Sequence, residues 1–268
     1  MNRFSAAWYR RFFENRFYAL IFLALFCFTS IAQANEEKAL QLIEGTLDQW
    51  RSDYSYSVTE MVVHRPDWER SLTLQTWTRG KKDFLGRFTA PSKDAGNATL
   101  TLDKGMWIFT PKINQVIKLP ASMLSQSWMG SDFSYNDLSR SDKIIQNFDH
   151  RVTDISNQDG HTLYTIESIP KAESPVVWGK QTIVIREDFI ILEQTFYDQD
   201  MVPVKRMVTT DISLLGGRLY PVEMRMISLE EEDHWTQIRV HEGGFDIPLP
   251  GYLFTLSNLR NPRPWSAP

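Results

Sequence analysis

One cysteine in 268 residues, Cys27, leaves no pair to close a disulfide within the chain. The fold therefore has to rest on its hydrophobic core with no disulfide to help it. Basic residues are not massed anywhere in the body. The chain has 29 Lys and Arg against 33 Asp and Glu, a formal net charge of -4, which argues against nucleic acid as a partner, since phosphate backbones are held by clustered basic side chains. After the apolar run from Phe17 to Ile31 no second such run appears, and that one is shorter than the roughly 20 residues a spanning helix needs. A G-x-S-x-G elbow, a Gly-rich phosphate loop and an HExxH helix are all missing, so the familiar hydrolase, nucleotide and zinc-protease signatures are absent. None of the histidines, His64, His150, His161, His234 and His241, has a second His, Cys or acid at a spacing that reads as a metal site. His234 and His241 are an odd number of residues apart in a predicted strand and point to opposite faces. No catalytic residue, metal or cofactor is therefore expected.

What is present begins with a targeting pattern. Arg3, Arg10, Arg11 and Arg16 precede the apolar run, and the small-residue triplet Ala32-Gln33-Ala34 follows it. Basic region, apolar core and A-x-A site in that order read as a cleavable secretory signal over residues 1–34, cut after Ala34. Phe26, before Cys27, is not the small residue that a lipoprotein processing site requires, so lipid attachment is not expected. The expectation is a soluble periplasmic protein whose body, residues 35–268, is a single domain.

Within that body, Leu40, Ile43, Leu47 and Trp50 recur at helical spacing and predict one amphipathic helix over Glu36 to Trp50. From Tyr54 the period changes to two, with Tyr54, Tyr56, Val58, Glu60 and Val62 on one face and Ser55, Ser57, Thr59, Met61 and Val63 on the other. Twelve further runs of this kind follow, among them Val176 to Arg186 and, last, Glu232 to Gly243, divided by turn signals such as Asn157-Gln158-Asp159-Gly160, Asp198-Gln199-Asp200 and Gly216-Gly217. Short strands joined by tight turns, with no alternating helices, predict an antiparallel meander. Pro120 to Asn147 has no period of two and is too long for an idle hairpin, so it is expected to be a lid-like insertion. Within it, Gly130-Ser131-Asp132 can be drawn as a nucleophile turn, although Ser131 and Asp132 equally cap a short helix over Phe133 to Leu138. Residues 245–268 are proline-rich and are expected to pack as a C-terminal tail over a sheet edge.

Large apolar side chains fall on both faces of several strands. Met106-Trp107-Ile108-Phe109 places bulk on each side, and Tyr220, Val222, Met224 and Met226 make one full apolar face. Two readings are open: one face is core and the other is covered by helices, or a curved sheet encloses a cavity in which methionine and aromatics accept a loosely fitting apolar guest.

Several segments carry a family resemblance. Thr76-Trp77-Thr78-Arg79-Gly80, Arg87-Phe88-Thr89-Ala90-Pro91, Gly105 to Pro111, Val176-Val177-Trp178-Gly179, Pro248-Leu249-Pro250 and Leu253 to Leu256 take part, and Ser127 to Leu138 is the most specific stretch. Together they resemble the LolA-like outer-membrane lipoprotein-sorting proteins, in their larger, poorly characterised branch rather than the compact lipoprotein carrier. The resemblance implies a mostly β fold, an open antiparallel half-barrel with an N-terminal helix and a helical lid segment over its concave face. It implies a monomeric carrier of lipid or lipoprotein acyl chains, working between an inner-membrane transporter and an outer-membrane acceptor. The other reading it leaves is a non-travelling binding partner of an inner-membrane exporter of RND/MMPL or ABC type. On the carrier reading Trp77, Phe88, Trp107, Phe109, Trp128, Met129, Phe133, Trp178, Met207, Met224 and Met226 are the candidates to line the cavity or its lid.

Overall fold

The computed structural model describes residues 33–103, 105–138 and 143–267. All but the last two residues of the predicted signal segment lie outside the described residues. The thirteen predicted strands form as β1 (Tyr54–Arg65), β2 (Trp68–Arg79), β3 (Asp83–Ala90), β4 (Ala98–Leu102), β5 (Gly105–Thr110), β6 (Gln115–Leu119), β7 (Phe148–Gln158), β8 (His161–Pro170), β9 (Lys180–Arg186), β10 (Ile191–Tyr197), β11 (Pro203–Leu215), β12 (Arg218–Ser228) and β13 (Trp235–Phe245). Alternating Val, Ile, Thr and aromatic residues suit a pleated, half-buried surface, which is why these runs become strands. Val176 to Gly179, expected as the start of β9, is instead an irregular lead-in, and Gly179 donates to the Tyr197 carbonyl at 2.9 Å.

All thirteen strands make one antiparallel sheet in the order β6-β5-β4-β3-β2-β1-β13-β12-β11-β10-β9-β8-β7. Each hairpin places its strands side by side, and the one long-range pairing is between β1 and β13, with Met61 opposite Ile238 and His64 opposite Trp235. The sheet stays open, because its two edges are β6 and β7. Those edge strands are consecutive in the chain, so the segment between them has to cross the whole width of the sheet. Bulges near Val58, Thr73, Val152, Ile191, Phe196 and Thr209 bend the strands on the way.

Register sorts the side chains onto two faces. Met61 lies opposite Leu72, Leu74 opposite Phe88, Met207 opposite Met226, Ile166 opposite Ile183, and Val152 opposite Ile166. These residues are buried and form the inner face. The helix α1, residues 33–51, packs on the β7–β12 half of that face through Ala39, Leu42, Ile43 and Leu47. Ile43, Leu47 and Trp50 of the predicted stripe pack there, and only Leu40, 37% exposed, does not; Ala39 and Leu42 take its place. Leu40 lies about 100° round the helix from Ala39, and the small alanine is what lets α1 sit close.

On the outer face the two halves differ. Across β7–β13 it is solvated and laced with opposite charges, for example Arg151 with Glu167 at 2.6 Å and Arg239 with Glu223 at 2.6 Å. An antiparallel sheet tolerates one wet face. Across β1–β5 the outer face is apolar and covered by the C-terminal segment. Trp77, Leu85, Leu100 and Phe109 pack there against Leu249, Leu253, Phe254 and Leu259, the last from the short helix α3 (Leu256–Arg260). Trp265 completes the cover, 5.1 Å from the Tyr56 ring and 6.0 Å from Trp77. The tail thus covers a face of the sheet, not an edge as expected.

Candidate ligand-binding face

The inner face is closed by the segment joining β6 to β7. After a single turn of 3-10 helix at Ala121–Met123 it forms a narrow loop, bridged by Ser127 and Ser134, and it ends in the one-turn helix α2 (Lys143–Asn147). At the loop's tip Met129 and Gly130 have φ of 54° and 75°, and Ser131 donates its N–H to the Trp128 carbonyl at 3.0 Å. Two consecutive left-handed residues make the tightest kind of reversal, and glycine suits the second. The short helix expected over Phe133 to Leu138 does not form; residues 135–138 are turns. Ser134 and Asp137 form a reciprocal pair at the start of these turns: the carboxylate accepts from the Ser134 N–H at 2.7 Å and the Ser134 hydroxyl at 2.9 Å, and that hydroxyl accepts from the Asp137 N–H at 3.3 Å, the pairing that caps a helical turn.

Each part of this crossing segment is fastened to a different part of the sheet. Trp128, 3% exposed, lies 5.2 Å from the Phe88 ring and donates its indole N–H to the Thr99 hydroxyl at 3.2 Å. Arg70 donates to the Met129 carbonyl, and Arg65 to the Gly130 carbonyl at 3.1 Å. Asp132 pairs with Arg65 at 3.0 Å and accepts from the Thr236 hydroxyl at 2.6 Å, reaching β1 and β13 together. Asp137 pairs with Lys205 on β11 at 2.8 Å. At the far edge His150 of β7 contacts the Ile144 carbonyl of α2 at 3.1 Å and the Ser168 hydroxyl at 2.8 Å. Ser131, the one conceivable nucleophile, spends its hydroxyl on the Trp128 carbonyl at 2.7 Å and the Phe133 N–H at 3.2 Å, both in its own loop.

The eleven candidate residues do not form one group. Phe88, Trp128 and Met129 meet under the crossing segment with Met61, Val63, Leu72 and Leu74. Trp178, Met207, Met224 and Met226 belong with α1 in the second inner cluster. Phe133 touches both clusters and joins them. Trp77, Trp107 and Phe109 lie on the outer face beneath the tail. Composition could not separate these sets, because strand phase alone decides which face a tryptophan occupies.

Of the polar fasteners, sequence reasoning names Asp132 only as part of a turn or cap and His150 only as a histidine without a metal spacing, and does not single out Arg65, Arg70, Lys205 or Asp137. A usable signal existed for Arg65 and Lys205, charged residues in phase with the buried side chains Met61, Val63 and Met207.

Burial holds the His150 imidazole below its usual value of 6.5; Lys171 adds to the shift, while the Ile144 carbonyl and Asp149 oppose it. The neutral ring therefore suits the folded state. Above 6.5 neither state takes the proton, but as the pH falls from 6.5 through the folded value the unfolded chain binds a proton the folded chain refuses. Stability is expected to decline over that window, and to decline less in His150→Gln. Equilibrium unfolding of both proteins between pH 7 and 5 checks this; parallel curves would refute it.

Two clefts adjoin the sheet. One of about 760 Å³ has charged residues in its lining, among them Asp48, Asp53, Arg79, Lys81, Asp83 and Asp246, at the turns beside α1 and β1. The other, about 610 Å³, opens between β4–β6 and the start of the crossing segment and includes Met106, Leu119, Pro120 and Leu124. Its volume is that of a small-molecule pocket, and register puts Met106 and Leu119 on the inner face. Among the described residues no group of His, Cys, Asp and Glu is placed to hold a metal ion, and no helix is long and apolar enough to cross a membrane.

Comparison with known proteins places the architecture. A family model described only as an uncharacterized protein matches residues 80–261. No curated protein matches the chain. Among solved structures, a DUF1329 family protein from Desulfovibrio piger superposes with a TM-score of 0.73 at 24% identity, over 84% of this chain and 99% of that one. A protein described as an outer membrane lipoprotein-sorting protein domain, from Vibrio parahaemolyticus, gives a TM-score of 0.72 at 19% identity, over 84% and 100% of the two chains. A LolA superfamily protein from Nitrosomonas europaea gives 0.68 at 19% identity, over 82% and 98%.

Proposed function

This chain belongs to the family matched over residues 80–261 and has the LolA-like fold, and from that premise we propose that it is a periplasmic carrier of lipid or lipoprotein acyl chains. The observation that carries the proposal is the crossing segment. The order of the strands forces one irregular segment over an inner face built from two apolar clusters, and that segment is seated by a few polar contacts on different strands. Lifting it uncovers apolar surface with no chain break and no change in the sheet. An acyl chain in water costs roughly 0.8 kcal/mol per CH₂, so a carrier has to shelter the whole chain. Here the segment is the lid, and Phe88, Trp128, Met129, Phe133, Trp178, Met207, Met224 and Met226 line the sheltered space, with the cleft at Met106 and Leu119 as its mouth.

Carriage of this kind makes and breaks no covalent bond, so the protein is not an enzyme on this reading. Residues 1–34 direct export and are removed after Ala34, leaving residues 35–268 as one freely diffusing, monomeric domain. An inner-membrane transporter loads it and an outer-membrane acceptor unloads it. The sorting role named for the Vibrio relative extends to this chain as part of the same proposal. The test is chemical. Protein purified from the periplasm of cells expressing the full chain is extracted into organic solvent and the extract is read by mass spectrometry. Stoichiometric acyl lipid is expected; protein that carries none from cells and takes none from offered vesicles is not a carrier.

A further inference from the structure

The inner face of the sheet carries apolar side chains and neutral polar ones such as Thr99, Ser168, Gln181 and Thr236, and the charges its strands place there are all of one sign. Strand register places Arg65, Arg70 and Lys205 on it, with no carboxylate in phase with them on the described strands. Arg70 lies opposite Val63, and Lys205 shares the face of Met207 and Phe196. All three cations bond to the crossing segment, and both carboxylates that balance them, Asp132 and Asp137, belong to that segment.

Lys205 shows what this means most clearly. Its side chain is 11% exposed, and the ammonium lies 5.0 Å from the centre of the Trp178 ring and 4.7 Å from that of Phe196. The Asp137 carboxylate, 2.8 Å away, is the one carboxylate that reaches it among the described residues. A charge on an apolar surface is costly unless it is paired. When the segment lifts, Asp137 leaves, and the ammonium stays behind on two aromatic rings without a counter-ion.

We propose that the ligand supplies the replacement: the carried molecule is an anionic acyl amphiphile whose carboxylate or phosphate head takes the place of Asp137 on Lys205 while its chain lies on the Met207 and Met226 face. The segment and the ligand then compete for one cation, so the closed protein offers an internal carboxylate that stands in for the head of its cargo. This deepens the carrier reading and rests on it. It separates cargo by charge, which an apolar cavity alone cannot do.

Tryptophan emission provides the readout, since the Trp178 ring lies 5.0 Å from the Lys205 ammonium. Protein expressed from the full chain is titrated with palmitate, with hexadecyl phosphate, with uncharged methyl palmitate and with inorganic phosphate. Palmitate and hexadecyl phosphate are expected to bind at least tenfold more tightly than methyl palmitate, with inorganic phosphate neither binding nor competing. In Lys205→Met the segment loses the same latch for every ligand, so the affinities for palmitate and methyl palmitate converge and the preference disappears. In Asp137→Asn, which keeps the pairing with Ser134 but removes the competing charge, palmitate binds several-fold more tightly. That variant carries the test should the Lys205 variant fail to fold. Equal affinity for palmitate and its methyl ester, or a preference that survives in Lys205→Met, overturns the proposal and leaves the carrier reading standing. Competition by inorganic phosphate overturns it in favour of a small-anion site. Binding of none of the acyl compounds overturns both.

Discussion

Arg87→Met is expected to destabilise the protein by about 3 kcal/mol and to free the C-terminal segment while the sheet stays folded. Arg87 sits on the outer face of β3, 9% exposed, and its guanidinium donates to the carbonyls of Asn258 at 2.9 Å, Leu259 at 2.8 Å and Gly96 at 3.3 Å. Burial lowers its pKa from the ordinary 12.5, yet an arginine keeps its charge in any protein. Two of the three acceptors lie in the last turn of α3, where the backbone carbonyls of a helix are left over and its negative end faces outward. One side chain thus satisfies two orphan carbonyls and fixes a helix too short to be stable by itself. Methionine keeps much of the stem's packing but supplies no donor, so the loss falls on the carbonyls. Hydrogen bonds to a charged group are worth about 1.5–3 kcal/mol each, and partial re-solvation of the freed carbonyls returns part of the loss. Denaturant unfolding gives the total, and limited proteolysis gives its place. Cleavage is expected first between residues 246 and 265. A variant within about 0.5 kcal/mol of the native protein and equally resistant there would show that the tail is held by Leu253, Phe254 and Trp265 without the arginine.

That tail marks a limit of what the sequence discloses. Strands were legible because a period of two is a property of the run itself: Tyr54–Arg65 alternates, and it pairs as a strand on both sides. Bulk on both faces of Met106 to Phe109 was legible too, but not its cause. The cause is Leu249 to Leu259, more than a hundred residues away, and no local pattern reports a partner at that distance. The packed face of α1 was legible at Ile43, Leu47 and Trp50 but not at Ala39, which contributes little apolar signal yet is fully buried. The pairing of β1 with β13 was out of reach as well, and with it the reason the long insertion has to cross the sheet: the crossing follows from strand order, not from anything in residues 120–147.

Asp132→Ala is expected to have the larger local effect, unseating the crossing segment by about 3–5 kcal/mol with the sheet intact beneath it. Arg65 and Asp132 are 13% and 10% exposed, so removing the carboxylate leaves a guanidinium paired only with carbonyls on a face with no anion of its own. Thr236 loses its acceptor at the same stroke. The cost differs in kind from that of Trp128→Ala, which removes apolar packing on Phe88 and leaves no charge uncompensated. A second variant separates the two. Breaking a buried pair from one side is costly, whereas replacing both partners with apolar groups is often nearly neutral, so Arg65→Met with Asp132→Leu should recover most of what Asp132→Ala loses. Hydrogen exchange reads the seating directly, because the Trp128, Ser131 and Tyr135 amides are bonded only within the loop and their protection depends on its being held down. Faster exchange there in Asp132→Ala, with the strand amides of Met61 and Leu72 unchanged, is the expected result. Unchanged loop exchange would mean that Trp128 and Lys205 seat the segment by themselves. Slow exchange restored in the double variant would show that the loss in Asp132→Ala comes from the uncompensated Arg65 charge.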